Sequence, residues 1–145
     1  IKKIYTILFI FVKIKKNNDI YYIMNSNNIL VKRIFIFLFG CMSARLGLVY
    51  LAKKLPLKYL PYMGYVCLLP AVGFAYIYVT GSRKTGAEVF GDTIWWNDLR
   101  PIHSLLYFTF AYLAITSSKK AYIPLLIDAS IGLVAFSVYH LYGRT

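Results

Sequence analysis

Two charged residues, Arg45 and Asp128, lie inside long apolar stretches of the chain. Arg45 comes eight residues before Lys53, and Asp128 comes eight residues after Lys120. At about 1.5 Å per helical residue, both charges would lie about 12 Å inward from the same lysine-rich face. An unpaired charge in hydrocarbon costs several kcal/mol. We therefore expect the two residues to form an ion pair that fixes helix register. The alternative is a polar site on a path for protons, ions or lipids.

A second group of polar and aromatic residues is concentrated just before the third apolar stretch, with a histidine near the end of the fourth. Its members are Glu88, Asp92, Trp95, Trp96, Asn97, Asp98, Arg100, His103 and His140. Tryptophan is typical of membrane–water interfaces, and an aspartate before a helix is a common N-cap. We interpret the group as an interfacial hinge, in which Asp98 caps the next helix and Arg100 pairs locally. The alternative is a surface that contacts lipid or a partner protein.

The same residues raise the question of a metal site. His103 and His140 with two of the carboxylates Glu88, Asp92 and Asp98 would be suitable ligands for zinc or iron. The histidines, however, show none of the spacings typical of metal-binding helices, and the chain has no Gly-rich phosphate loop or Ser-His-Asp order. We therefore predict no metal, no cofactor and no catalytic residue.

Four apolar segments, each of about 17 to 22 residues, must position these side chains. Each segment is long enough to cross a hydrocarbon core of about 30 Å as a helix. The whole chain is 59% hydrophobic and only 15% charged, too little charge to cover a soluble domain. The sequence predicts an all-α, polytopic transmembrane four-helix bundle over 29–145. The predicted spans are 29–52, 59–80, 101–117 and 121–142, with a polar loop at 81–100.

The connections between these segments predict how the helices are arranged. Short turns favour antiparallel neighbours, so spans 1 and 2, and spans 3 and 4, should form hairpins. Pro70 should kink the second span. In the first span, Gly40 with Ala44 and Ser43 with Gly47 form two small-residue steps that permit close helix approach.

The net charge of +12 arises from 17 Lys and Arg against 5 Asp and Glu. Such an excess in a soluble protein would suggest nucleic acid, but here basic residues cluster at the ends of apolar segments. These positions suit contacts with anionic lipid head groups and argue against nucleic-acid binding. The two faces carry five and six basic residues, a difference too small to predict orientation. The flanking basic residues are Lys32, Arg33, Lys53, Lys54, Lys58, Lys119, Lys120 and Arg144.

The segment 1–28 differs in character from the rest. It is rich in Ile, Lys, Asn, Tyr and Phe, which have A/T-rich codons, and the first methionine is Met24. We expect the native protein to begin at Met24, the preceding residues being translated upstream sequence. The alternative is an extra N-terminal helix, interfacial or signal-like, because the apolar run at 4–14 is too short to span.

Two blocks, Gly40-Cys41-Met42-Ser43-Ala44-Arg45 and 91–103 (GDTIWWNDLRPIH), carry a resemblance. Across 40–140 the chain resembles small uncharacterised multi-pass membrane proteins of large DNA viruses. The resemblance implies residence in a viral or host-derived membrane and brings no catalytic residues with it.

Three classes of function follow from these patterns. We favour a non-enzymatic integral membrane protein that scaffolds or organises a bilayer, alone, as a homo-oligomer or with a membrane partner protein. The first alternative is an oligomeric small channel or transporter that uses Arg45 and Asp128. The second is a membrane-embedded lipid enzyme that uses His103, His140 and nearby acids.

Overall fold

The computed structural model describes residues 29–86, 89–90 and 93–142. The segment 1–28, including the predicted start at Met24, lies outside this part of the chain, as do Glu88, Asp92 and Arg144. The chain divides into two compact units, Ile1–Ile36 and Phe37–Thr145. In the first unit, residues 29–36 are helical.

The prediction of an all-helical protein is confirmed over the described residues, which contain no β-strand beyond an isolated bridge between Thr85 and Thr93. A π-helical segment, Phe37–Met42, leads directly into the first α-helix of this unit. The α-helices are α1 (Ser43–Lys54), α2 (Leu60–Thr80), α3 (Arg100–Ile115) and α4 (Tyr122–Tyr142).

The end of α1 and both ends of α2 are explained by particular residues. Lys53 and Lys54 lie in the last turn of α1, where positive charge is favourable beside the exposed carbonyls. Pro61 lies in the first turn of α2, where the missing N–H is harmless. Helix α2 stays continuous through Pro70 and ends at Gly81, whose φ of 59° is the left-handed conformation that glycine adopts easily.

The start of α3 corrects one prediction. Asp98 does not cap this helix: the N-cap is Leu99, and no side-chain capping hydrogen bond is made there. A short 3-10 helix, Asn97–Leu99, precedes α3 instead, and the backbone N–H of Arg100 donates to the carbonyl of Asn97. Because this backbone bond continues the helical ladder, the Asp98 carboxylate is not needed there and is exposed.

Helix α3 is the central element, since it packs against α2 on one side and α4 on the other. The predicted contact between spans 3 and 4 is therefore present. The first hairpin differs from the prediction, because α1 packs mainly against α4 rather than α2. The shared core takes residues from all four helices: Ala52, Leu60, Cys67, Ala71, Tyr107, Phe110, Ala114, Ala121 and Leu125.

A tight helix contact involves a small residue other than those expected. Gly40, Ser43, Ala44 and Gly47 are exposed, so the two steps do not bring α1 against another described helix. Gly64 on α2 is buried instead. A Cβ built there would lie 3.0 Å from the Ala111 carbonyl oxygen and 3.0 Å from the Ala114 Cβ. The absence of a side chain at Gly64 therefore permits the tight packing of α2 on α3.

Three helical segments among the described residues are long and apolar enough to cross a membrane: Ile29–Lys54, Leu60–Thr80 and Tyr122–His140. The segment predicted as the third span forms α3, which has 16 residues and is not among them. The chain thus has three candidate spans by length and composition, which is compatible with association with a membrane.

Candidate functional site

Three charged or titratable side chains from three helices meet in the interior of the second unit. Arg45 extends from α1, His103 from the first turn of α3, and Asp128 from the second turn of α4. We call these three residues the ionic cluster. The structure thereby brings together Arg45 and Asp128, the two residues expected to pair, and adds a histidine to them.

Asp128 is the centre of the ionic cluster. Its Oδ2 lies 2.6 Å from Nη1 of Arg45, and its Oδ1 lies 2.5 Å from Nδ1 of His103. Nη1 of Arg45 also donates to the backbone carbonyl of Asp128 at 3.2 Å. Each carboxylate oxygen therefore has its own donor, which is the arrangement that a buried carboxylate requires.

The donors and acceptors fix the tautomer of His103. A guanidinium only donates hydrogen bonds, and an ionised carboxylate only accepts them. Nδ1 of His103 must therefore carry the hydrogen that Asp128 accepts, and the lone pair of the neutral ring is then on Nε2. The 3.2 Å contact between Nδ1 and Nη1 of Arg45 is consequently a close approach of two donors.

The ionic cluster is almost completely sealed. The side chains of Asp128 and His103 are 1% and 4% exposed, while that of Arg45 is 13% exposed. With a neutral imidazole the three residues sum to zero charge, so burial leaves no net charge in the low-dielectric interior. A single buried charge without its counter-charge would cost far more than the pair.

Gly132 provides the space for the guanidinium. It lies one turn after Asp128 on the same face of α4, and a Cβ there would come 3.3 Å from Nη1 of Arg45. A larger residue would push the guanidinium away from Asp128. The sequence analysis did not single out this glycine, although the sequence shows that it follows Asp128, a charge within an apolar segment, by four residues.

Replacing Gly132 by valine should lower the free energy of unfolding by about 1–3 kcal/mol, because the added methyl groups occupy the place of the guanidinium. Gly47→Val is the matched control, since nothing lies within 4 Å of a Cβ at Gly47. Unfolding in mixed micelles measures both variants. Equal losses for the two variants would contradict a specific fit between Gly132 and Arg45.

The surroundings of the ionic cluster are apolar on the α2 side. The Phe74 ring lies 5.9 Å from the His103 ring and 5.9 Å from the Tyr107 ring. Next to His103, the hydroxyl of Ser104 donates to the carbonyl of Ala71 at 2.8 Å. This bond joins α3 to α2 one residue after Pro70. Ser104 therefore has a structural bond rather than the position of a nucleophile.

The predicted interfacial group is divided by the structure. His103 belongs to the ionic cluster, whereas His140 contacts Trp95, Phe136 and Tyr139. The two histidines are not brought together. The reason is that His103 points from α3 towards α4 near the beginning of α4, while His140 lies near its end.

Trp95, Trp96, Phe136, Tyr139 and His140 form an aromatic layer between the polar loop and the end of α4. Trp95 stacks on Tyr139 with ring centroids 4.4 Å apart, and the rings of Trp95 and Trp96 meet edge to face at 5.3 Å. The ring of His140 lies 4.3 Å from that of Phe136. The loop is therefore fixed to α4 by aromatic contacts.

Arg100 is buried at the base of this loop and donates hydrogen bonds to the loop itself. It donates to Oδ1 of Asn97 at 2.7 Å and to the carbonyl of Arg83 at 3.3 Å. Among the described residues, no group of three or more His, Cys, Asp or Glu is arranged to hold a metal ion. Of the proposed ligands, Glu88 and Asp92 lie outside that part of the chain.

The chain matches no protein family, no characterised protein and no solved structure with which it was compared. Its function must therefore be inferred from the physical chemistry of its own residues.

Proposed function

We propose that the chain is a non-enzymatic integral membrane protein that crosses a bilayer four times and serves as a structural or scaffolding component of that membrane. The observation that carries this proposal is the exposed apolar surface. Leu69, Val79 and Tyr112 are 75%, 82% and 69% exposed. Among the described residues, the exposed large apolar side chains outnumber the buried hydrophobic residues by more than two to one. A water-soluble monomer rarely exposes so much continuous apolar surface.

The aromatic residues support the proposed thickness of the embedded region. At one end of α4, the ammonium of Lys53 lies over the Tyr122 ring at 5.6 Å. At the other end, Tyr139 stacks on Trp95. At about 1.5 Å per residue, Tyr122 and Tyr139 are about 26 Å apart along the helix. This separation suits two aromatic belts on either side of a hydrocarbon core.

Helix α3, which is the third span in chain order, is proposed to cross the membrane as well, although it is shorter than the three candidate spans. Its 16 residues cover about 24 Å, somewhat less than the core of an average bilayer. Trp95 and Trp96 precede it and extend the embedded segment into the interface, where tryptophan is favourable. Its exposed residues also suit lipid, since Leu105 and Tyr112 are 65% and 69% exposed.

The lysine-rich turns suit anionic lipid head groups as partners. The contact between Lys53 and Tyr122 places the end of α1 beside the start of α4. The turns at 53–58 and 117–120 contain no acidic residue. All five lysines there are exposed: Lys53, Lys54, Lys58, Lys119 and Lys120. Each such charge near an anionic bilayer surface contributes about 1 kcal/mol to attraction.

A scaffolding role fits the way in which the described polar side chains are used. Ser104 and the ionic cluster join helices to one another, and Arg100 fixes the loop. Residence in a viral or host-derived membrane remains part of the proposal, on the resemblance described above. A homo-oligomer or a membrane partner protein would be organised through the exposed helix faces.

Alkaline carbonate extraction tests membrane residence. We expect the protein to remain in the membrane pellet at high pH and to enter solution only with detergent, because its apolar surface is buried in lipid. A peripheral protein held by its lysines is the control and should be released. Recovery of the chain in the carbonate supernatant would contradict the proposal.

A small oligomeric channel or transporter is the second candidate, and the joining of His103 to Arg45 and Asp128 favours it. A titratable group beside a buried ion pair is common on proton and ion paths. Ion or proton flux in liposomes that Asp128→Asn abolishes, without unfolding the protein, would support this candidate over scaffolding.

A further inference from the structure

We propose that His103 is a proton-binding site and that uptake of a proton there releases α1 from Asp128. The proposal goes beyond the scaffolding role and concerns how the ionic cluster responds to acid. It rests on the geometry of the cluster and on the packing of α1.

The first argument is charge balance. Asp128 carries one negative charge and is contacted by Arg45 and His103. Arg45 alone neutralises it, because arginine stays charged at all ordinary pH values. A proton from water adds to the Nε2 lone pair of His103 and turns the neutral cluster into one with a net charge of one. Histidine is the side chain that ordinarily changes charge between about pH 5 and 8.

The second argument concerns repulsion within the cluster. Nδ1 of His103 lies 3.2 Å from Nη1 of Arg45. When the imidazole is protonated, two cations share one carboxylate at this distance in a poorly screened site. The hydrogen bond from Nδ1 to Asp128 is retained and strengthened by the charge. The arginine is therefore the cation that leaves.

The third argument is that helix α1 is held by fewer buried residues than α3. Ala52 is its one buried residue, whereas α3 buries seven residues along its length. The Arg45 side chain is the most exposed of the three, and its long, flexible stem allows the guanidinium to move away from Asp128. The π-helical segment Phe37–Met42 precedes α1, and π-helical turns are frequent at functional sites.

Other titratable groups near His103 do not supply a competing counter-charge. Helix α4 presents Asp128, and α1 presents Arg45. Helix α2 presents the Phe74 ring and carries the buried Cys67. Tyr107 lies one turn along α3 from His103, and its ring is 5.9 Å from that of Phe74. Asp128 is thus the one carboxylate among these groups.

The experiment measures the distance between α4 and the π-helical segment that leads directly into α1, by pulsed electron paramagnetic resonance. One spin label is attached to the exposed native Cys41 and the other to Val134→Cys, where the native side chain is 61% exposed. The buried Cys67 should not react. Phosphatidylcholine bilayers are used because they do not titrate between pH 8 and 5. As the pH is lowered, molecules with α1 displaced from Asp128 should increase relative to molecules with α1 attached. Their ratio should rise by up to about tenfold for each pH unit, since one proton is taken up per released helix.

Two matched variants decide the assignment, because the chain has only two histidines. His103→Asn retains an N–H donor close to the position of Nδ1 but cannot be protonated, so its distances should not change with pH. His140→Asn should behave as the unmodified protein. The proposal is overturned if the unmodified protein shows no pH-dependent distance, or if His103→Asn shows the same change.

Nitrogen NMR of the labelled imidazoles keeps the test valid if His103→Asn fails to fold. In the unmodified protein, we expect His103 to become protonated over the pH range in which the distance changes, with His140 as an internal reference. A His103 ring that stays neutral while α1 moves would overturn the proposal.

Discussion

Asp128→Asn should lower the free energy of unfolding by about 3–5 kcal/mol. The substitution removes the negative charge that balances Arg45, and an uncompensated buried charge is strongly destabilising. The amide retains one oxygen to accept the hydrogen bond from Nδ1 of His103, so the loss reports mainly on the ion pair. Reversible unfolding in mixed micelles or by steric trapping in bilayers measures the effect.

Asp98→Asn is the matched control, because it makes the same chemical change at an exposed carboxylate. We expect it to change the free energy of unfolding by no more than about 0.5 kcal/mol. Adding Arg45→Met to Asp128→Asn should recover most of the loss, since replacement of both charges by groups of similar volume is often nearly neutral. Additive losses in the double variant would show that the two residues do not interact.

The second large effect is expected at the contact between α2 and α3. Gly64→Leu places a branched side chain where a single Cβ would already lie 3.0 Å from the Ala111 carbonyl oxygen. Backbone atoms of a neighbouring helix cannot yield easily, so the helices must separate. We expect a loss of about 3 kcal/mol in the free energy of unfolding, at the upper end of overpacking effects.

Gly73→Leu makes the same change on the same helix and is the control, because nothing lies within 4 Å of a Cβ at Gly73. In a bilayer an exposed leucine there meets lipid tails and should be tolerated. Leucine also favours a helix more than glycine does, so helix propensity cannot cause a loss at either position. A loss at Gly73 as large as that at Gly64 would therefore contradict a specific contact between Gly64 and α3.

Much of the local structure could be predicted from the sequence, because hydrophobic length and proline positions are local signals. Helices α2 (Leu60–Thr80) and α4 (Tyr122–Tyr142) differ by about one residue from the predicted segments 59–80 and 121–142. Contact between Arg45 and Asp128 followed from counting residues to a shared face. That argument works because charges at equal depth in an apolar bundle have few other partners.

The failure of α1 to pack mainly on α2, and the third member of the ionic cluster, could not be predicted in this way. The predicted ion pair already implied contact between α1 and α4, whereas the short turn after α1 wrongly favoured α2 as its main neighbour. His103 was grouped with the loop because it lies three residues from the start of α3. Its position in the chain gave its approximate depth, whereas its partner depended on the direction in which the side chain points.

The exposed small residues at 40–47 also show that a local sequence pattern does not determine which helices come into contact. The spacing of Gly40, Ser43, Ala44 and Gly47 is compatible with close helix packing, yet all four are exposed in the described chain. Gly64 carries no such repeated pattern, yet it packs tightly against α3. Small-residue spacing indicates that a close contact is permitted, and the remaining packing determines where it occurs.

The most direct measurement of the central claim is spin-label accessibility along α3 in bilayers. Single labels at Leu105, Phe108 and Tyr112, all exposed in the structure, report collisions with lipid-soluble oxygen and with a water-soluble nickel chelate. We predict that oxygen collisions dominate at all three positions, with the greatest exclusion of nickel in the middle of the helix. Free access of the nickel chelate to all three positions would contradict a fourth membrane-spanning helix and, if repeated at Leu69 on α2, membrane residence itself.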